Sequence, residues 1–295
     1  MNELYRNIND DQWLLRHARN ITSLSGEDGI IEKIFEILPP TEKWCVEFGA
    51  WDGKKFSNTW SLITNGGWSG VLIEADSNKF KDLVANYKNY PQAQCLNEFV
   101  TFNGECSLDN LVKKTALPTN YDLLSIDIDG NDYHIWDSVK AYAPKVVVIE
   151  FNPTIPSHVD FVQPRDMSVN QGNSLLSLIR LGKSKGYELI CVTDYNGIFV
   201  QASFFKLFKI ENNSIERLRP PNPEYCPQFH LFQLYDGTFV VGGGNSMPWY
   251  GIPIRQDKFQ ILPRMFRMYP SRPRNLFKRV IRRIWLFFYL NKIAK

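Results

Sequence analysis

Two periods of apolar residues alternate along the first two thirds of the chain. Short apolar runs at Trp44–Phe48, Gly70–Ala75, Gln94–Val100, Leu123–Ile128 and Val146–Phe151 have the length of strands, and stretches of helical period separate them. Such alternation predicts an α/β fold, a parallel sheet covered by helices on both faces. Ahead of the first run, Ile30, Ile31, Ile34, Phe35 and Leu38 recur at helical spacing. Ser25 is the expected N-cap of that helix, with Asp28 three residues on, and Pro39 and Pro40 stop it. A shorter helix is expected from Asp10 to His17. Two hairpin signals follow the fifth run. Asn196 and Gly197 lie between Leu189–Val192 and Ile198–Val200, and Asp236 and Gly237 between Phe232–Tyr235 and Thr238–Val241.

The last segment has a different pattern. Basic pairs at 278/279 and 282/283 interleave with apolar pairs at 276/277, 280/281 and 284/285, so residues 274–293 form a helix with one cationic and one apolar face. Its uninterrupted apolar run, Ile284–Leu290, is far short of the roughly 20 residues that span a bilayer. A helix of this kind is expected on an anionic membrane surface; the alternative is docking on its own domain or on a partner subunit. Residues 219–228 read as a proline-rich ordered loop and 245–275 as an irregular arm. The expected organisation is a helical lead-in over 1–22, a catalytic-type α/β domain over 23–244, and a basic arm with its amphipathic helix over 245–295.

Charge sharpens that division. The formal net charge of the 295 residues is +3, but from Ile252 onward twelve Lys/Arg face one acid, which leaves −8 on the residues before it. An anionic partner therefore suits the tail, and the acidic body disfavours nucleic acid. Five scattered cysteines without C-x-x-C spacing read as reduced thiols, neither a disulfide framework nor a zinc site. Met1–Arg6 lacks the apolar stretch of a signal peptide, so a cytoplasmic location is expected.

Candidate chemistry lies at the ends of the apolar runs. Gly49 and Gly53 bracket Ala50, Trp51 and Asp52, and about two dozen residues later Glu74 ends the second run, where a nucleotide-binding sheet places the carboxylate that holds a ribose. The third glycine of a dinucleotide fingerprint is missing, and Trp51 and Asp52 would crowd and repel a pyrophosphate. A cationic nucleoside such as S-adenosylmethionine fits instead, with Glu47 and Asp52 near its ammonium and sulfonium. Asp127 and Asp129 share one side of the fourth run, and Glu150 and Asn152 end the fifth. One reading makes Asp127, Asp129, Glu150 and Asn152 oxygen ligands of Mg2+. The other makes Asp127, Asp129 or His134 a general base. Asn152 and Pro153 begin a segment that shares only its first two residues with the Asn-Pro-Pro-Tyr motif of amino-group DNA methyltransferases. Trp51, Tyr133 and Trp249 are the aromatics expected to stack on a ring or sugar face.

Val46–Gly53, Leu72–Asp76 and Ile126–Asp132, in that order and after Ser25–Gly29, resemble the FkbM-type S-adenosylmethionine-dependent methyltransferases over residues 23–205. The resemblance implies a Rossmann-like class I fold with a mostly parallel seven-stranded sheet, helices on both faces and an antiparallel C-terminal hairpin. It also implies cofactor contacts from Glu47, Gly49, Asp52 and Gly53 at the methionine end, Glu74 and Ala75 at the ribose, and Phe99 and Val100 at the adenine. Asp129 and Asp132 stand where the family has glutamates, and Ser125 where it often has lysine. The function expected from these features is O-methylation of a sugar hydroxyl in a surface polysaccharide or lipid-linked glycan, at the inner face of a membrane. The alternatives are a non-catalytic scaffold of the same fold in a glycan-assembly complex and an amino-group methyltransferase acting on nucleic acid.

Overall fold

The computed structural model describes residue 5 and residues 8–219, 230–234, 237–242, 255–263, 267, 280–281 and 283–288. Trp249, Cys226, the proline-rich loop from 220 and most of the 245–275 arm lie outside the described residues. The chain forms two compact units, Met1–Tyr225 and Cys226–Lys295.

In the first unit, a 3-10 helix (Asp10–His17) and α1 (Glu27–Ile37) precede β1 (Trp44–Phe48), α2 (Trp60–Thr64), β2 (Ser69–Ile73), α3 (Ser77–Tyr87) and β3 (Ala93–Leu96). Then come α4 (Leu108–Val112), β4 (Leu123–Ile126), α5 (Asp132–Ser138), β5 (Val146–Glu150), α6 (Leu175–Ser184), β6 (Tyr187–Val192), β7 (Asn196–Gln201) and α7 (Ile215–Leu218). The sheet has seven strands in the order β3-β2-β1-β4-β5-β7-β6. The first five are parallel, and β7 runs antiparallel to both β5 and β6. This is the Rossmann-like arrangement expected from the sequence. Both faces are covered: all four residues of β4, and Cys45–Phe48 of β1, are buried although successive side chains point to opposite faces. The opening helix belongs to the same core, since Leu14, Leu15 and Ala18 are buried with Ile30, Ile31 and Ile34 of α1.

Three local expectations are corrected. Ser25 does not cap α1. Gly26 holds the N-cap position at φ 93°, where a Cβ would lie 2.5 Å from that of Ala18, so only glycine lets the turn pack against the opening helix. Asp28 makes no capping box; its Oδ2 instead accepts the backbone N–H groups of Ile21, Thr22 and Ser23 at 2.7 to 2.8 Å. Finally, Asn196 and Gly197 are not the hairpin turn. They open β7, paired with Glu150 and Ile149, while Thr193–Tyr195 make the turn and the Thr193 hydroxyl accepts the Asn196 N–H.

Strands β2 and β4 end two residues earlier than their apolar runs, and β3 four residues earlier. The chain leaves the sheet at Glu74 and Asp127, which opens a crevice beyond the strand ends. Cys45 and Cys191 are buried free thiols, and Cys95 and Cys106 are partly buried. Burial pushes the Cys95 thiol up to about 11. In the second unit, β8 (His230–Gln233) and β9 (Phe239–Gly242) pair antiparallel, the second expected hairpin. Residues 280–281 and 283–288 are helical. No helix among the described residues is long and apolar enough to cross a membrane.

Candidate active site

Beyond the C-terminal ends of β1, β2, β4 and β5 lies a cavity of about 630 Å³. Glu47, Gly49, Glu74, Ala75, Phe99 and Val100 border it, as do Asp127, Asp129 and Glu150. Asp52, Gly53, His134 and Asn152 do not.

The turn after β1 forms one wall. Gly49 has φ 73°, and a Cβ there would lie 1.7 Å from the Asp127 carbonyl oxygen, so glycine is what lets this turn cross the end of β4. Trp51 follows at φ 51°, and its N–H donates to Glu74 Oε2 at 2.7 Å. Glu74 Oε1 accepts the Asp76 N–H at 2.7 Å. Each Glu74 oxygen thus has one backbone partner, and a carboxylate has capacity for further donors on both. Phe99 is 54% exposed beside buried Val100.

Glu47 is occupied differently from the expectation that it meets a cofactor ammonium. Its carboxylate accepts the Ser57 and Thr59 hydroxyls at 2.6 and 2.7 Å and the Asn58 N–H at 2.8 Å, which pins the 57–59 segment to β1. Burial raises its pKa, against the lowering effect of those three bonds. Asp52 accepts the N–H groups of Lys54 and Lys55, shaping its own turn. Gly53 packs on α3, where a Cβ would lie 2.3 Å from Leu83 Cδ1, and its carbonyl accepts the Tyr87 hydroxyl.

At the floor, Asp127, Asp129 and Glu150 bring carboxylate oxygens within 4.8 Å of one another. The Asp127 and Glu150 carboxyls share a hydrogen bond, which requires a proton on one of the two. Burial pushes Asp127 up to about 8, followed by the repulsion of Asp132, Asp129 and Glu47. Burial, then Asp127, raises Glu150 well above the usual carboxylate range. Asp127 is nonetheless open to the cavity: water reaches it from that side and moderates a shift caused by protein on the others. Asp129 stands at φ 58°, a left-handed conformation that aspartate tolerates better than most residues. Asp132 is structural. Its oxygens accept the Ile128 and Gly130 N–H groups at 3.0 and 2.9 Å, and burial pushes it up to about 6.

Two sequence expectations are corrected here. His134 Nε2 lies 2.9 Å from the Gln163 carbonyl oxygen, an acceptor, so that nitrogen carries a proton and the ring sits away from the cavity wall. Asn152 cannot join an oxygen-ligand set, because its Oδ1 already accepts the Thr154 N–H and hydroxyl at 2.9 and 2.6 Å.

Several other wall residues had no role assigned from the sequence. Glu27 Oε1 accepts the Thr193 hydroxyl and the Asn196 side-chain amide at 2.6 and 3.0 Å, and Oε2 the Ser25 N–H. Asn131 and Asn196 each bury a side-chain carbonyl oxygen without a hydrogen-bond partner among the described residues. The long β5–α6 connection clasps this side: Asn131 donates to the Asp166 carbonyl, and Asn173 to that of Gly130. Lys55 is the only cation on the wall among the described residues, against seven acids, Glu27, Glu47, Glu74, Glu98, Asp127, Asp129 and Glu150.

No protein-family model and no curated relative matches the sequence. Solved structures do match. The CMeT domain of the citrinin polyketide synthase has a TM-score of 0.42 at 12% identity, covering 59% of this chain and 51% of that one. The N-terminal domain of EvdMO1, solved in the presence of SAH and D-fucose, has 0.39 at 10% identity, covering 68% and 99%. A SAM-dependent methyltransferase from Aquifex aeolicus has 0.38 at 11% identity, covering 65% and 98%. The chain spans about half the length of the citrinin synthase domain and of the CurJ carbon methyltransferase, 51% and 52%. Likeness at this level carries no activity across, and the fold assignment rests on the strand order.

Proposed function

We propose that this protein is an S-adenosylmethionine-dependent O-methyltransferase whose acceptor is a sugar hydroxyl of a surface polysaccharide or lipid-linked glycan. The observation that carries the reading is the placement of Glu74 and the Asp127–Glu150 pair on one cavity beyond the ends of parallel strands. Glu74 is fixed by two backbone N–H groups and keeps lone pairs for the two hydroxyls of a ribose. Phe99 and Val100 offer an apolar wall for adenine, and Gly49 and Ala50 border the cavity where the methionine end would lie. An acidic wall favours a cation over a pyrophosphate. When bound, the cofactor supplies a methyl group on a positively charged sulfur.

The protein's own part is positioning and proton handling. One proton shared between Asp127 and Glu150 leaves one carboxylate, and Asp127, the more exposed of the two on the cavity side, is placed to accept the proton of an incoming hydroxyl. Positioning of the two reactants supplies much of the rate in such a transfer. A second reading, in which Asp127, Asp129 and Glu150 hold Mg2+, is favoured by their mutual distances alone.

Calorimetric titration with S-adenosylmethionine and S-adenosylhomocysteine, with Mg2+ and with chelator, tests both. Micromolar binding that ignores chelator supports the metal-free reading, and no binding under any condition refutes the cofactor assignment. Membrane attachment through 274–293 is part of the proposal. Within the described helical residues, Val280, Ile284, Phe287 and Phe288 recur at helical spacing and are exposed. Deleting residues 272–295 should release the protein from anionic vesicles and spare cofactor binding; persistent vesicle binding refutes the role of the tail.

A further inference from the structure

Four large apolar side chains on the cavity wall are about half in water: Trp51 and Phe99 belong to the turn after β1 and to the wall proposed for adenine, and the other two are Leu24 at 46% and Phe56 at 52% exposure. Neither sits on a loose loop. The turn that carries Leu24 is braced by Asp28, whose Oδ2 gathers three backbone N–H groups, and by Asn20, whose amide donates to the Leu24 carbonyl at 2.8 Å and whose oxygen accepts the Gly26 N–H. The loop of Phe56 is fixed on one side by Asp52 and on the other by Glu47, through Ser57, Asn58 and Thr59. Phe56 itself has φ 63°, a conformation in which a bulky residue is an outlier that persists only when its surroundings impose it. The two loops are joined by the Thr22 hydroxyl, which donates to the Ser57 carbonyl at 3.0 Å. Met167, partly buried, borders the same cavity from the β5–α6 connection.

Apolar groups held rigidly in water contribute little to folding, and preorganisation of this kind lowers the ordering cost of a ligand that covers them. Charge narrows the ligand. The wall is acidic, and its only described cation, Lys55, already lies over the Phe56 ring, 4.8 Å from its centroid. An anionic head group beside the apolar pair would meet one cation against the repulsion of the several carboxylates on the wall.

We infer that Leu24, Phe56 and Met167 form a preformed clamp for an alkyl or aryl substituent of an uncharged, hydroxyl-bearing acceptor. This rests on the methyl-transfer reading for the identity of the cavity as an acceptor site. The acceptor is therefore a neutral amphiphile: its hydroxyl faces the Asp127–Glu150 pair, and its apolar substituent lies against the clamp.

The test uses three probes, methyl β-D-glucoside, n-octyl β-D-glucoside below its micellar concentration, and n-octyl phosphate. Each is titrated calorimetrically into the full chain with and without S-adenosylhomocysteine. Octyl glucoside should bind at least about tenfold more tightly than methyl glucoside, since burying even part of the chain is worth that much. Octyl phosphate should bind more weakly than octyl glucoside. The double variant Leu24→Ser, Phe56→Asn, with an asparagine that tolerates positive φ, should lose the octyl advantage and keep its affinity for S-adenosylhomocysteine. Equal binding of the two glucosides, an octyl advantage that survives both substitutions, or tighter binding of the phosphate overturns the clamp. Absence of S-adenosylhomocysteine binding refutes the cofactor assignment instead, and the ratio between glucosides still decides the clamp.

Discussion

Glu74→Gln is the sharpest perturbation of the cofactor side, because it keeps shape and removes charge. Both carboxylate oxygens accept backbone N–H groups at 2.7 Å, from Trp51 and from Asp76. A glutamine has one oxygen, so its amide nitrogen must face one of those donors, and one N–H loses its partner. Glu74 is buried, and an unsatisfied buried donor costs about 1–3 kcal/mol. A ribose hydroxyl would lose a charged acceptor as well, about 1.5–3 kcal/mol, or roughly 10- to 150-fold in affinity. Thermal unfolding reads the first quantity and calorimetric titration with S-adenosylhomocysteine the second. Asp76→Ala is the control. Asp76 caps α3 through the Asn78 and Lys79 N–H groups on the exposed side, so its loss should cost about 0.5–2 kcal/mol of stability and leave affinity alone. Unchanged affinity in Glu74→Gln, or an equal loss in Asp76→Ala, refutes the ribose assignment.

Asp127→Asn should lower methyl transfer by about 10²- to 10⁴-fold while cofactor affinity changes less than tenfold; retained turnover removes Asp127 from proton handling. Because burial raises Asp127 and Glu150, the folded protein holds more protons than the unfolded chain from about pH 4 upward, and this contribution to stability is lost as pH climbs through the folded values, about 8 for Asp127. Glu150→Gln cannot ionise, so its melting temperature relative to the parent protein should rise between pH 5 and pH 8.5, and parallel curves would rule out the shared proton. Gly26→Ala places a Cβ 2.5 Å from that of Ala18 at φ 93°, and strain plus overpacking should cost about 2–5 kcal/mol in denaturant unfolding; an unaltered midpoint contradicts that packing.

The parts of the site visible in the sequence are those fixed by neighbours in the chain. Gly49 and Glu74 sit at strand ends marked by apolar runs, and Asp127 and Asp129 differ by the two residues that put side chains on one side. Glu27 lies in the Ser25–Gly29 segment that carries part of the resemblance, but its place on the wall was not legible because its partners Thr193 and Asn196 are 166 and 169 residues away. The same holds for the loop between β5 and α6. Buried Gln163 organises it by accepting the Gln171 and Gly172 N–H groups and donating to the Val169 carbonyl, and its backbone carbonyl accepts from His134 Nε2. Asn196–Gly197 carries strong turn chemistry, yet the register with β5 places both residues in a strand. Tertiary pairing overrides a local signal of that kind.

The position of β7 bears on how the protein is made. The sixth strand along the chain is an edge, and the seventh lies inside the sheet between β5 and β6. During synthesis the five parallel strands emerge first, so β5 presents an open row of backbone groups until residues 196–201 leave the ribosome and insert. Glu27, waiting near the start for Asn196, stays without that partner for the same interval. Nascent chains stalled before residue 196 should therefore be the species most dependent on chaperones and most prone to pair with one another.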